Sequence, residues 1–177
     1  MDQTPKTDRE RILQERAEAL AQVTAVDTQA GDHLEVTVFS IGAEHYAVDS
    51  TLIQEIVTLK NLMPLPCVPA HIAGIFNLRG KLLAAVDLCP LLGITSESVR
   101  SEEKMVVLND KGMEFGVVVD DIEGVFSLPL ADIQDTLITQ QTNGAKYLRG
   151  VTSDRLVLLD GMRLIHGPDL IVNDEIN

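Results

Sequence analysis

Residues that build metal centres, disulfides and nucleophilic active sites are scarce in this chain of 177 residues. It contains 2 cysteines, which form no CxxC motif, and 4 histidines, which have no HxxH or HExxH spacing. Motifs of the GxSxG, Walker and GxGxxG types are also missing. We therefore expect no metal and no cofactor. Cys67 and Cys89 are predicted to be reduced thiols, buried as small apolar residues.

Positive charge is also in short supply. The chain has 14 Lys and Arg against 27 Asp and Glu, a formal net charge of -13 at pH 7, and no local cluster of basic residues offsets it. Such a surface repels phosphate groups, so nucleic acid and anionic membranes are poor candidates for partners.

Long apolar runs are missing as well. The longest uncharged apolar stretches, such as Leu82 to Val86, are far too short to span a bilayer, so we expect no direct membrane insertion. The N-terminus is acidic and polar where a secretory signal is basic and then apolar. A composition of 45% hydrophobic and 23% charged residues is typical of a soluble globular protein, which we expect in the cytoplasm.

The first structural signal along the chain is an amphipathic helix. Thr7-Asp8-Arg9-Glu10 has the pattern of a capping box, and an apolar stripe at helical spacing follows it. We predict a helix at about 8 to 25, docked on the domain or on a partner. Residues 1 to 32 are assigned to an N-terminal extension, 33 to 172 to the main domain and 173 to 177 to a tail.

Beyond the extension the apolar period changes to two, which predicts strands. Alternation from Leu34 to Val48 predicts a hairpin with its turn at Gly42, and residues 104 to 119 predict a second hairpin. Three prolines between Met63 and Pro69 predict an extended surface loop. Short helical connections are expected between strands.

The strand pattern occurs twice. His71-Ile72-Ala73-Gly74-Ile75 recurs as Tyr147-Leu148-Arg149-Gly150-Val151, and the hairpin before it and the apolar strand after it recur too. The copies span about 34 to 92 and about 104 to 165. A unit of ~60 residues is marginal alone because it buries only about 60% of its unfolded surface. We predict an all-β fold of two small five-stranded barrels that share a core, with a groove between them.

The two copies differ at one turn. Nine positions separate Gly74 from Leu83, while six separate Gly150 from Leu156, so the first copy carries three extra residues. We assign Asn77-Leu78-Arg79 to an insertion in that turn. An arginine inserted in one copy only is typical of a site on a shared scaffold, and the alternative is an ordinary solvated turn.

Glu55 is the acidic residue of interest in the same copy. An ion pair between Glu55 and Arg79 would hold the guanidinium in one orientation and leave its other donors to a partner. The alternative is two independent surface charges, which contribute about 0 to 1 kcal/mol even if paired.

At these residues the chain resembles a known family, the CheW chemotaxis coupling proteins. The specific feature is the combination of Gln54-Glu55-Ile56 with Asn77-Leu78-Arg79-Gly80. The resemblance extends over most of the chain and includes Val38-Phe39-Ser40-Ile41-Gly42, Val86-Asp87-Leu88, Gly116-Val117-Val118-Val119-Asp120 and Leu158-Leu159-Asp160.

This resemblance implies two SH3-like barrels and an adaptor, or scaffold, without enzymatic activity. Family members act in signal transduction by coupling the cytoplasmic tips of methyl-accepting chemoreceptors to a CheA-type histidine kinase. The protein is thus expected in the cytoplasm, recruited to membrane receptor arrays. The receptor tip is expected in the groove between the barrels and the regulatory domain of the kinase at barrel ends. From the chain length, we expect no attached kinase or receiver domain.

The resemblance also implies a receptor-binding surface, in which the Glu55–Arg79 ion pair shapes the surface and Gly74 permits close backbone approach. Its residues are Glu55, Gly74, Asn77, Leu78 and Arg79. Apolar side chains near barrel ends are candidates for kinase contact, with core packing as the alternative. They are Met63, Leu65, Val125 and Phe126.

Two features depart from the family pattern and leave the identity of the partners open. Cys89 stands where many members have an arginine, and the N-terminal extension is longer than a minimal member needs. A different hypothesis is a small ligand-binding or hydrolytic module in the groove, with Glu55 as general base. It requires a second convergent polar group or a metal, and the sequence has neither at recognisable spacing.

Overall fold

The computed structural model describes residues 32–94, 104–134, 143–168 and 170. The predicted helix at about 8 to 25 and the predicted tail at 173 to 177 lie outside the described residues. Among the helices of the described part of the chain, none is both long enough and apolar enough to cross a membrane.

The described residues form ten strands and two short α-helices. The strands are β1 (His33–Ile41), β2 (Glu44–Asp49), β3 (Ile53–Thr58), β4 (Ile72–Leu78), β5 (Lys81–Asp87), β6 (Lys104–Asp110), β7 (Met113–Val119), β8 (Asp121–Pro129), β9 (Leu148–Val151) and β10 (Val157–Leu159). The helices are α1 (Leu88–Leu92) and α2 (Gly161–His166), and 3-10 turns occur at Ser50–Leu52, Leu130–Asp132 and Asn143–Tyr147.

The strands form two five-stranded sheets with the same internal plan. One has the order β8-β1-β2-β10-β9 and the other β3-β6-β7-β5-β4. Each closes on itself through one bridge between its edges: Met63 after β3 pairs with Ile75 of β4, and Gln134 after β8 pairs with Val151 of β9. We call them the β1 barrel and the β6 barrel.

Neither barrel is built from one copy of the repeat, contrary to the expected spans of 34 to 92 and 104 to 165. The β1 barrel combines the hairpin β1–β2 of the first copy with β8, β9 and β10 of the second. The β6 barrel combines the hairpin β6–β7 of the second copy with β3, β4 and β5 of the first. The two copies therefore exchange three strands each.

Apolar burial on both faces of the hairpin strands accounts for this arrangement. In β1, residues Val36 to Phe39 are all buried, so one face of the strand fills its own barrel and the other faces the second sheet. Val36 and Val38 belong to the core of the β1 barrel, whereas Phe39 packs with Val106 of the β6 barrel in a shared core. Strands buried on both faces read as continuous apolar runs.

The shared core is the largest of the three clusters found among the described residues. Both helices contribute to it, through Leu88 and Leu91 of α1 and Leu164 and Ile165 of α2. Tyr46 lies there with its hydroxyl donating to Glu44 Oε2 at 2.5 Å, and burial followed by this hydrogen bond raises the pKa of Tyr46. The two barrels are thus joined by an apolar interface.

Several local predictions are confirmed. The hairpins β1–β2 and β6–β7 form where expected. Cys89 is buried, but Cys67 is exposed, so that prediction is wrong for Cys67. Cys67 lies in the proline-rich segment with a φ of 60°, outside the regular strands that carry side chains into the cores.

The strand exchange predicts that the barrels unfold together. Leu158→Ala removes a fully buried side chain from the β1 barrel core and is expected to cost about 2 to 5 kcal/mol. In hydrogen exchange measured at increasing denaturant concentration, the amides of β1–β2 and β6–β7 should lose protection at the same concentration, which should be lower than in the wild type. Persistent protection of β6–β7 after β1–β2 has opened would contradict a joint unit.

Candidate partner-binding surface

The five residues predicted for receptor contact all lie in the β6 barrel. Glu55 is in β3, while Gly74, Asn77 and Leu78 are in β4, and Arg79 is in the turn that follows. None belongs to the core that the barrels share. The structure brings Glu55 and Arg79 together although β3 and β4 are opposite edges of the sheet order.

The turn that carries Arg79 is a two-residue hairpin loop. Leu78 pairs with Lys81, and the two residues between them have positive φ, 52° at Arg79 and 90° at Gly80. Positive φ at both positions defines a type I′ turn, whose twist matches that of the strands. The side chain of Asn77 closes the turn because its Oδ1 accepts from the Gly80 amide at 2.8 Å.

The three extra residues of the first copy lengthen strands and do not enlarge a loop, so the predicted insertion is corrected. β4 and β5 have 7 residues each around a two-residue turn. β9 and β10 have 4 and 3 residues around a longer loop. Asn77 and Leu78 are therefore strand residues, and only Arg79 lies in the turn. The added strand length moves Arg79 to the end of the barrel.

The ion pair expected from the sequence is present. Arg79 Nη2 lies 2.8 Å from Glu55 Oε2. The arginine side chain is 80% exposed, whereas that of Glu55 is 18% exposed. An exposed pair stabilises the fold little, since solvent screens it. Its effect is geometric, because a nearly buried carboxylate holds one end of a guanidinium whose other donors face outward.

Gly74 has a role within the barrel. It has a φ of 151°, and a Cβ there would lie 2.3 Å from the backbone oxygen of Met63. Met63 exchanges two backbone hydrogen bonds with Ile75, at 2.8 and 2.9 Å. The repeat places Gly150 in the same relation to the other closing segment, where a Cβ would lie 2.8 Å from the backbone oxygen of Gln134. Gly74 therefore permits the close backbone approach that closes the barrel.

A second polar group adjoins the turn and was not singled out from the sequence. Lys81 Nζ lies 2.6 Å from Glu114 Oε2. Asn109 Nδ2 donates to Glu114 Oε1 at 2.8 Å and to Gln54 Oε1 at 2.9 Å. The residues follow one another across the sheet in β5, β7, β6 and β3. Lys81 and Glu114 both lie beside X-Gly turns, which is a signal that the sequence contains. Recognising that the two residues pair with each other requires the order of the strands in the sheet.

The four apolar candidates for kinase contact are exposed, which rules out simple core packing for them. Val125 is 62% exposed, Phe126 51%, Met63 49% and Leu65 38%. Val125 and Phe126 lie in β8 of the β1 barrel, and Met63 and Leu65 lie in the segment that closes the β6 barrel. They therefore form two separate groups, one in each barrel.

One open pocket lies away from these residues. It has a volume of about 570 Å³ and lies between α2 and the 3-10 turn Asn143–Tyr147. Lys146, Asp160 and Arg163 are among its lining residues. Within the described ranges, no group of three or more His, Cys, Asp or Glu side chains is arranged to hold a metal ion.

Comparison with known proteins gives a consistent result. The family model of the CheW-like domain matches residues 35–168. A chemotaxis protein CheW of Treponema pallidum is 27% identical over 146 residues, 78% of this chain and 86% of that protein. A chemotaxis protein CheW of Klebsiella aerogenes is 26% identical over 162 residues, 89% of this chain and 98% of that protein.

Structural comparison supports the fold. The crystal structure of the scaffolding protein TtCheW from Thermoanaerobacter tengcongensis matches with a TM-score of 0.64 at 23% identity, covering 72% of this chain and 89% of that one. The predicted class, two SH3-like five-stranded barrels, is confirmed. These comparisons do not support the hypothesis of a ligand-binding or hydrolytic module.

The turn geometry predicts that Arg79 can be removed without loss of stability. Arg79→Asn creates the Asn-Gly pair that type I′ turns prefer, so the free energy of unfolding should stay the same or rise by up to about 1 kcal/mol. Denaturant unfolding measures it. Arg155→Asn, at an exposed arginine with φ of 64° in the β9–β10 loop, is the matched control. A loss above about 1 kcal/mol for Arg79→Asn alone would mean that the ion pair stabilises more than exposed pairs do.

Proposed function

The chain belongs to the family of CheW-like domain proteins, and on that premise we propose that it is a non-enzymatic adaptor coupling chemoreceptors to a CheA-type histidine kinase. One partner is the cytoplasmic tip of a methyl-accepting chemoreceptor, and the other is the regulatory domain of the kinase. The protein works in the cytoplasm and is recruited to membrane receptor arrays through the receptor. Family membership carries this proposal.

The receptor-binding surface that we propose is the end of the β6 barrel around Arg79, and not the expected groove between the barrels, because all five predicted residues lie in the β6 barrel. Its supporting observation is the contrast in exposure within the ion pair, 80% for Arg79 and 18% for Glu55. Such an arrangement presents a guanidinium in one fixed orientation, so a carboxylate or carbonyl of the partner meets a preorganised donor. Asn77 keeps the turn in place, and Leu78 adds partly exposed apolar surface beside it.

Gly74 supports this surface through the backbone. By letting Met63 approach β4, it holds the closing segment against the strand that ends at Arg79. Its contribution to receptor binding is thus indirect.

The kinase-binding residues that we propose are Phe126 and Val125 in one group and Met63 and Leu65 in the other. Aromatic residues and methionine are enriched in protein interfaces relative to the rest of the surface, so Phe126 and Met63 are the principal contacts expected in the two groups. Because the two groups lie on different barrels, the kinase regulatory domain is expected to contact the adaptor at more than one place or in more than one copy.

Charge reversal at Arg79 tests the receptor surface. Arg79→Glu should lower the affinity for the cytoplasmic signalling fragment of a chemoreceptor by more than about tenfold, because a like charge then faces Glu55 and the partner. Isothermal titration or a pull-down measures it. Arg155→Glu, which reverses an exposed arginine in the corresponding hairpin of the other barrel, should leave binding unchanged. Equal binding by wild type and Arg79→Glu would remove Arg79 from the surface.

The kinase contact is tested separately. Phe126→Ser should weaken binding to the kinase regulatory domain by about tenfold or more while receptor binding persists, because an exposed aromatic anchor is lost. Met162→Ser, at an exposed apolar residue of α2, is the control for general loss of surface hydrophobicity. If both variants bind the kinase domain as wild type does, the kinase-contact assignment of Phe126 is wrong.

A further inference from the structure

The geometry of the β6 barrel points to Lys81 as a second receptor-contacting cation, held in position by Glu114. We propose that Arg79 and Lys81 together select a partner segment that carries a pair of carboxylates. This inference rests on the proposed function and deepens it, since it names the chemistry of the partner at the same surface.

Glu55 and Glu114, the two anchoring carboxylates, point to the same face of the sheet. Val107 and Asn109 are two residues apart on β6, so their side chains share a face. Glu55 lies opposite Val107, and Glu114 lies opposite Asn109 in the antiparallel ladders. Residues directly opposite each other in such a ladder lie on the same face. Val107 belongs to the core of the β6 barrel, so this is the inner face of the sheet, and both carboxylates bind their exposed cations at the end of the barrel.

Each cation is exposed, and each anchor is nearly buried. The Lys81 side chain is 58% exposed while that of Glu114 is 12% exposed, the same contrast as in the pair of Arg79 with Glu55. Glu114 is held at both oxygens, because Oε2 accepts from Lys81 and Oε1 from Asn109. An ammonium has three donors and uses one here, so the others face the partner.

Both cations lie on one hairpin. Arg79 and Lys81 are two residues apart around the turn between β4 and β5, and each is held by a carboxylate at the same end of the barrel. A partner segment that carries a pair of acidic side chains can therefore meet both cations at once.

The charge distribution favours an acidic partner at this end of the barrel despite the net charge of -13. Within both pairs the negative member lies inward and the positive member outward, so the outward field is positive close to the surface. Asp110 and Lys111 also lie at this end, and Asp110 Oδ2 lies 2.8 Å from His166 Nε2. Complementary charges of this kind raise association rates and select partners.

Charge reversal in the intact protein tests the inference. Lys81→Glu should weaken binding of the chemoreceptor signalling fragment about tenfold and reduce the salt dependence of the association rate, whereas Lys81→Arg should bind like wild type. Lys104→Glu is the matched control. It reverses a lysine of a similar exposed pair, with Asp121, at the opposite end of β6, and should change the affinity by less than about twofold.

A charge swap separates contact from structure. Lys81→Glu with Glu114→Lys restores an ion pair within the barrel but places the opposite charge outside, so unfolding stability should return to wild type while receptor affinity stays low. Recovery of affinity in the swap would overturn the inference, because Lys81 would then act only through the fold.

The receptor fragment offers the complementary test. When acidic residues of the fragment are neutralised in pairs, one pair should remove the difference in affinity between wild type and Lys81→Gln. A wild-type protein that does not bind the fragment overturns the proposed function and this inference together. If the wild-type protein and Lys81→Glu bind the receptor fragment equally well, this inference alone is overturned.

Discussion

The apolar faces that the two sheets turn toward each other are the constraint on which the fold depends. The shared core contains 18 buried residues, against 6 and 4 in the cores of the separate barrels. Barrels with cores of this size are marginal alone, since small domains bury too little surface to offset the entropy of ordering the chain. The exchange of three strands between the copies and the packing of α1 and α2 between the sheets both serve to fill this interface.

The same exchange builds the candidate site. Glu55 and Arg79 come from one copy of the repeat, whereas the pair of Lys81 with Glu114 joins the two copies across β5 and β7. The end of the β6 barrel is therefore a rigid surface assembled from both halves of the chain. Rigid scaffolds that hold a few exposed polar groups in fixed orientations are well suited to recognition, because little ordering entropy remains to be lost on binding.

Local features were predictable from the amino-acid sequence. Alternating hydrophobicity predicted the hairpins β1–β2 and β6–β7, and both form at the expected residues. Features that depend on which strand lies next to which were less accessible. Each barrel was assigned to one contiguous copy, because local alternation does not say which strands pair. The extra residues at Asn77 were assigned to a loop, because a lengthened strand and a strand followed by polar residues have the same alternation.

By itself the sequence determined the strand-rich repeat, the presence of a turn at Arg79 and the resemblance of Gln54-Glu55-Ile56 and Asn77-Leu78-Arg79-Gly80 to the CheW family. These are properties of residues near one another in the chain, where period and turn chemistry act directly. Only the tertiary structure decided that the copies exchange strands, that Gly74 makes room for Met63, and that Lys81 meets Glu114. Those outcomes depend on contacts between residues distant in sequence, and the shared core selects among pairings that local pattern leaves equivalent.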